Sequence, residues 1–137
     1  GRWSMSALHA LWLARAREDL EFAALGLESG YYSQVCFLAQ QAAEKSLKAL
    51  LIARTGTHPK VHHLVRLIGL CAESAPAVME MEDEARVLDQ YYLPSRYPDS
   101  LPGGGALGMP QEKHAREALN VARQIHETCG ALGSRQT

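Results

Sequence analysis

Gln41, Glu44 and Lys48 are spaced three and four residues apart, so on a helix their side chains rise from one face. Glu44 ahead of Lys48 is the favourable order for an i,i+4 ion pair. Taken alone, such a stripe is a solvated helix face. Apolar residues flank this one on both sides, and a polar stripe hemmed in by packed surface either lines a cleft or joins an interface network. A second cluster, Tyr91-Tyr92-Leu93-Pro94-Ser95-Arg96-Tyr97-Pro98-Asp99, sets aromatic and charged groups in a turn stiffened by two prolines. Arg96 in that setting either forks onto a carboxylate or phosphate with little entropy to lose, or pairs with Asp99 or a glutamate of the fold and anchors the turn. His58, His62 and His63 make the third cluster. Their closeness suggests a metal, but no Asp or Glu lies between Lys48 and Glu73 to complete a tetrahedral site locally. What remains for them is a structural hydrogen bond, or phosphate binding by His62 or His63. The sequence calls for no metal and no cofactor.

The elements that position these groups are helical. Leu13, Ala16, Leu20, Ala23 and Leu27 mark one face of a first helix, and Gly30 follows its last turn, where a left-handed residue closes helices. A second helix, about Ser33 to Arg54, carries the stripe Cys36, Ala39, Ala43, Leu47 and Leu50, flanked by Val35, Leu38, Ala42, Ala49 and Leu51. That arc is broad, so this helix is central and touched from more than one side. Gly56 ends it. A third, shorter helix bears Leu64, Leu67, Ile68 and Cys71 and stops before Pro76. From Met81 to Tyr92 the spacing puts Met81, Ala85, Leu88 and Tyr92 on one side. Residues 98–110, rich in Gly and Pro, read as a loop. The last helix begins near Pro110 and shows the cleanest period, through Ala115, Ala118, Leu119, Ala122, Ile125 and Cys129, with fraying expected after Gly130. Ala39, Ala42, Ala43, Ala115, Ala118 and Ala122 predict close packing of the second helix on the last. The expected fold is all-α, an antiparallel bundle of four or five helices. One domain spans residues 6–131, between an N-terminal extension (1–5) and a frayed tail (132–137).

At 137 residues the chain has room for one core. A net charge of −1 argues against nucleic-acid or membrane binding driven by bulk charge. The local distribution is uneven. Lys45 to Arg66 holds five cations (Lys45, Lys48, Arg54, Lys60, Arg66) and no acid, whereas Glu73 to Asp89 holds six acids against Arg86. Such asymmetry permits a local anion site or attraction between two subunits. Cys36, Cys71 and Cys129 are far apart and read as buried thiols of a reducing compartment. No apolar run approaches the roughly 20 residues of a membrane span, and the N-terminus has no signal-peptide core. The expected location is the cytoplasm, with no membrane partner.

Gln41-Ala42-Ala43-Glu44-Lys45 followed by Lys48, His62 before Leu64, Tyr91-Tyr92, and Arg96-Tyr97-Pro98-Asp99 together resemble the prokaryotic HEPN (higher eukaryotes and prokaryotes nucleotide-binding) family, from about Ala14 to Glu127. The resemblance implies an all-α homodimer, often paired with a minimal nucleotidyltransferase in toxin–antitoxin-like modules. Active HEPN ribonucleases carry an Arg, four to six residues, then His near the last helix, and two such motifs meet across the dimer to cut RNA without metal. This chain departs from that pattern. Positions 101–103 after Arg96 are Leu, Pro and Gly, the next histidine is His114, and the Arg2–His9 spacing sits at the wrong end. Without a histidine beside the arginine, acid–base cleavage lacks its main agent. The expectation is a non-enzymatic dimer that binds nucleotide or RNA phosphate, or a nucleotidyltransferase, through Gln41, Glu44, Lys48, His62, Tyr92, Arg96, Tyr97 and Asp99. The alternatives are a ribonuclease toxin in which His62 or His114 reaches Arg96, and a purely structural dimerisation module.

Overall fold

The computed structural model describes residues 4–92 and 109–134. Five helices form: α1 (Met5–Glu28), α2 (Tyr32–Thr55), α3 (Leu64–Ala72), α4 (Glu82–Asp89) and α5 (Glu112–Gly133). A 3-10 segment, Pro76–Met81, leads into α4, and no strand occurs among the described residues. The expected all-α bundle is observed.

Ser4 caps α1, its side chain accepting the Ala7 amide at 3.0 Å, so the ordered fold reaches back into the supposed extension. At the other end Gly30 is left-handed, with φ of 84°. Tyr31 N–H donates to the Gly26 carbonyl and Gly30 N–H to that of Leu27, a Schellman closure that satisfies the last carbonyls and reverses the chain into α2. Gly56, also at positive φ, closes α2.

α2 is the central element. Val35, Cys36, Ala39, Ala42, Ala43, Leu47 and Leu50 are fully buried, under α1 and α5 along its length and under α3 and α4 on a third side. The six alanines predicted to let α2 and α5 approach are all fully buried. Polar links fix direction. His9 near the start of α1 bonds the Ala49 carbonyl near the end of α2, so these helices are antiparallel. Tyr32 bonds Glu112, and Arg54 the Leu132 carbonyl, so α2 and α5 run the same way. α1 is therefore antiparallel to both.

Three local expectations shift. The periodicity that placed Tyr92 with Met81, Ala85 and Leu88 breaks at Asp89, because Tyr91 and Tyr92 close i,i+3 turns onto Leu88 and Asp89 and leave the helical phase. Tyr91 enters the core and Tyr92 stays half-buried. α5 starts at Glu112, where His114 Nδ1 accepts the Gln111 amide at 2.9 Å. It also continues past Gly130 to Gly133, because Leu132 is buried and its carbonyl is held by Arg54.

Candidate functional site

The breadth of the α2 arc has a consequence for its polar stripe. Glu44 and Lys48 are only 7% and 5% exposed, and Lys48 Nζ donates to Glu44 Oε2 at 2.9 Å. The solvated-face reading is thereby excluded. An ion pair so deeply placed contributes little net stability, because desolvation offsets attraction. His62, from the connection before α3, donates its Nδ1–H to the same Oε2 at 3.1 Å. Glu44 Oε1 is buried and has no hydrogen-bond partner among the described residues.

Two glutamines complete the cluster. Gln41 Nε2 donates to Gln40 Oε1 at 2.8 Å, and Gln40 Nε2 donates to the His62 carbonyl at 3.1 Å. Gln40, fully buried, thus fixes the backbone that carries His62. The His62 ring stacks on Tyr92, centroids 5.3 Å apart and planes at 18°. The His63 ring is tilted against the same tyrosine, its centroid 5.9 Å from that of Tyr92.

The structure therefore brings together five of the residues expected from sequence: Gln41, Glu44, Lys48, His62 and Tyr92. Arg96, Tyr97 and Asp99, with the Pro94–Pro98 turn and the loop of 98–110 as far as 108, lie outside the described residues. His114 serves as the cap of α5. His58 packs edge-on against Trp12, ring centroids 4.6 Å apart. Among the described residues no three His, Cys, Asp or Glu side chains are arranged to hold a metal ion.

The anion site expected across Lys45–Arg66 is much reduced. Lys45 pairs with Asp19, Lys48 with Glu44, and Arg54 bonds the carbonyls of Ser74 and Leu132. Charges that crowd along a sequence are spread round a helix, and three of these five are held by the fold itself. Lys60 and Arg66 remain exposed.

Sequence reasoning missed Gln40 and Asp89 as site residues. Gln40 sits between Cys36 and Glu44 on one i,i+4 row, a signal that was present. Asp89 accepts the first two amides of α3, Leu64 at 2.6 Å and Val65 at 3.1 Å, and its Oδ1 lies 4.0 Å from His63 Nδ1. It is a cap supplied from 24 residues away, which no local pattern announces.

The three cysteines are buried free thiols. Burial pushes Cys36, which hydrogen-bonds Tyr91, and Cys71 up to about 12, and raises Cys129 as well. None is a nucleophile at neutral pH.

Comparison with known proteins agrees with the all-α fold. The sequence profile of the HEPN domain matches residues 9–132. A Methanocaldococcus jannaschii protein named "Putative toxin MJ1304" is 27% identical over 116 residues, 78% of this chain and 73% of that one. Among solved structures, TT1696 of Thermus thermophilus is 36% identical with a TM-score of 0.80, covering 90% of this chain and 97% of its own. ST0689, described as an archaeal HEPN homologue, is 33% identical with a TM-score of 0.73, over 92% and 98% of the two chains. A HEPN domain protein of Thermotoga maritima, tm0613, is 31% identical with a TM-score of 0.72, over 91% and 98%.

Proposed function

The chain belongs to the HEPN domain family, and from that premise we propose that it is a non-enzymatic, homodimeric member that binds a nucleotide or RNA phosphate group within a toxin–antitoxin-like pair, its partner a minimal nucleotidyltransferase. One observation carries the ligand-binding part. Gln41, Glu44 and Lys48 of α2 meet His62 and Tyr92, which come from two other stretches of the chain, in one cluster that leaves His62 half-exposed. Gln41, Glu44 and Lys48 hold the site in place. His62 and Tyr92 meet the ligand, and Arg96, Tyr97 and Asp99, which lie outside the described residues, are proposed as further ligand contacts. The name of the M. jannaschii relative supports the toxin-like context. The missing Arg–His spacing supports binding without cleavage.

A second reading is favoured by the Glu44–His62 contact. A carboxylate on Nδ1 leaves Nε2 free to accept a proton, which suits a general base. On this reading the protein is a metal-independent ribonuclease with a rearranged Arg/His site. Titrating ATP, GTP and a short RNA against wild type and Arg96→Ala at two salt concentrations tests both readings. Salt-sensitive binding that Arg96→Ala weakens, with the RNA left intact, is expected. Binding equal in both proteins removes Arg96 from the site, and RNA cleavage promotes the second reading.

A further inference from the structure

Phosphate recognition inside this cluster is limited by what the fold has already used. Lys45 and Lys48 are held by acids. The N-terminus of α3, which His63 opens, gives its first two amides to Asp89. What the site offers a ligand is ring surface. Side chains of His62 and His63 are 48% and 68% exposed, and both flank Tyr92. Rings gathered only to anchor a connection would be expected to turn their faces inward.

The tautomer of His62 follows from its partner. A carboxylate of Glu44 can only accept, so the contact selects the Nδ1–H tautomer, which presents Nε2 as a lone-pair acceptor. Phosphate leaves such an acceptor poorly matched, since phosphate is itself an acceptor. A ribose 2′-hydroxyl can donate to it and still leave the base free to stack. We propose that His62, Tyr92 and His63 form a stacking ledge for one unpaired ribonucleotide unit, on which His62 Nε2 accepts the 2′-hydroxyl and so distinguishes ribose from deoxyribose. The inference rests on the nucleotide-binding reading above and assigns its ligand contacts. Lys60 and Arg66, both exposed, add attraction without specificity.

Fluorescence anisotropy with an unstructured eight-nucleotide RNA, the same DNA sequence, and ATP as competitor tests it on the full chain. Wild type should bind RNA more tightly than DNA. His62→Phe keeps the ring and removes the acceptor, so RNA affinity should fall to the DNA level while DNA affinity holds. Tyr92→Leu should weaken both ligands on the order of tenfold, and thermal melts of each variant that match wild type control for folding. Competition by ATP assigns the ledge to free ribonucleotides, and competition by RNA alone assigns it to a strand. Equal RNA and DNA binding by wild type, or binding unchanged in His62→Phe and Tyr92→Leu, overturns the ledge and leaves the nucleotide-binding reading standing. Wild type that binds none of the three ligands overturns that reading as well.

Discussion

Glu44 shows how much one buried carboxylate organises. It pairs with Lys48, orients His62 and keeps one oxygen without a hydrogen-bond partner among the described residues, all within a helix whose other faces are packed. Removing one member of a buried pair strands the other, which costs about 3–5 kcal/mol. Lys48→Met should therefore lower stability by that order in urea unfolding at pH 7, and Glu44→Gln added to it should restore most of the loss. A double variant as unstable as the single one would mean that Lys48 matters for its packing alone. The thiols make a second test. Cys36 and Cys71, raised from 9.0 to about 12, stay protonated in the folded protein where the unfolded chain ionises. Their contribution is thus fully present below about pH 9 and declines as pH rises towards 12, by about 1.4 kcal/mol per unit for each group. A thiol reagent at pH 8 should leave the folded protein unlabelled and modify all three cysteines in guanidinium; rapid labelling of one in the native state would contradict its burial. At this scale the sequence was informative about which residues matter and less so about their partners. Glu44 before Lys48 announced its own pair by spacing. Its bond to His62 depended on how the connection folds back.

Helix periods were legible because burial on one face leaves a repeat that survives in the sequence, as in Ala115 to Cys129. Helix ends were less so, because they depend on contacts made elsewhere. Asp89 caps α3 from the end of α4, and Arg54 of α2 holds the last turn of α5. Two glycines show the same limit. Gly69 in α3 has open space around it, so Gly69→Ala should stabilise by about 0.5–1 kcal/mol through backbone entropy. Gly133 in α5 faces the ring of His9, where a Cβ would lie 2.6 Å from Nε2. That ring is pinned by its 2.8 Å bond to the Ala49 carbonyl, so it cannot simply move aside. Gly133→Ala should therefore destabilise by about 1–3 kcal/mol despite its better helix propensity. Thermal melts of the two variants should shift in opposite directions, and a shared sign would show that His9 is free to yield.

Assembly is where the sequence argument needs the most revision. The breadth of the α2 arc, wider than one neighbour covers, suggests a dimer through α2, α5 or both. The fold covers that arc within one chain, using four helices. The exposed large apolar side chains lie elsewhere, with Phe22 65% and Leu25 63% exposed one turn apart on α1. We expect the homodimer to use that α1 face. Light scattering at micromolar concentration should give twice the chain mass for wild type and a monomer for Phe22→Glu; a monomeric wild type would remove the dimer from the account. No helix among the described residues is long and apolar enough to cross a membrane. The most direct test of the central claim, binding without cleavage, is to incubate the purified protein with an end-labelled single-stranded RNA in EDTA and resolve the products on native and denaturing gels. The expected RNA is retarded on the native gel and full-length on the denaturing one. Metal-independent fragments that disappear with Arg96→Ala or His62→Phe would contradict it and make this protein a ribonuclease.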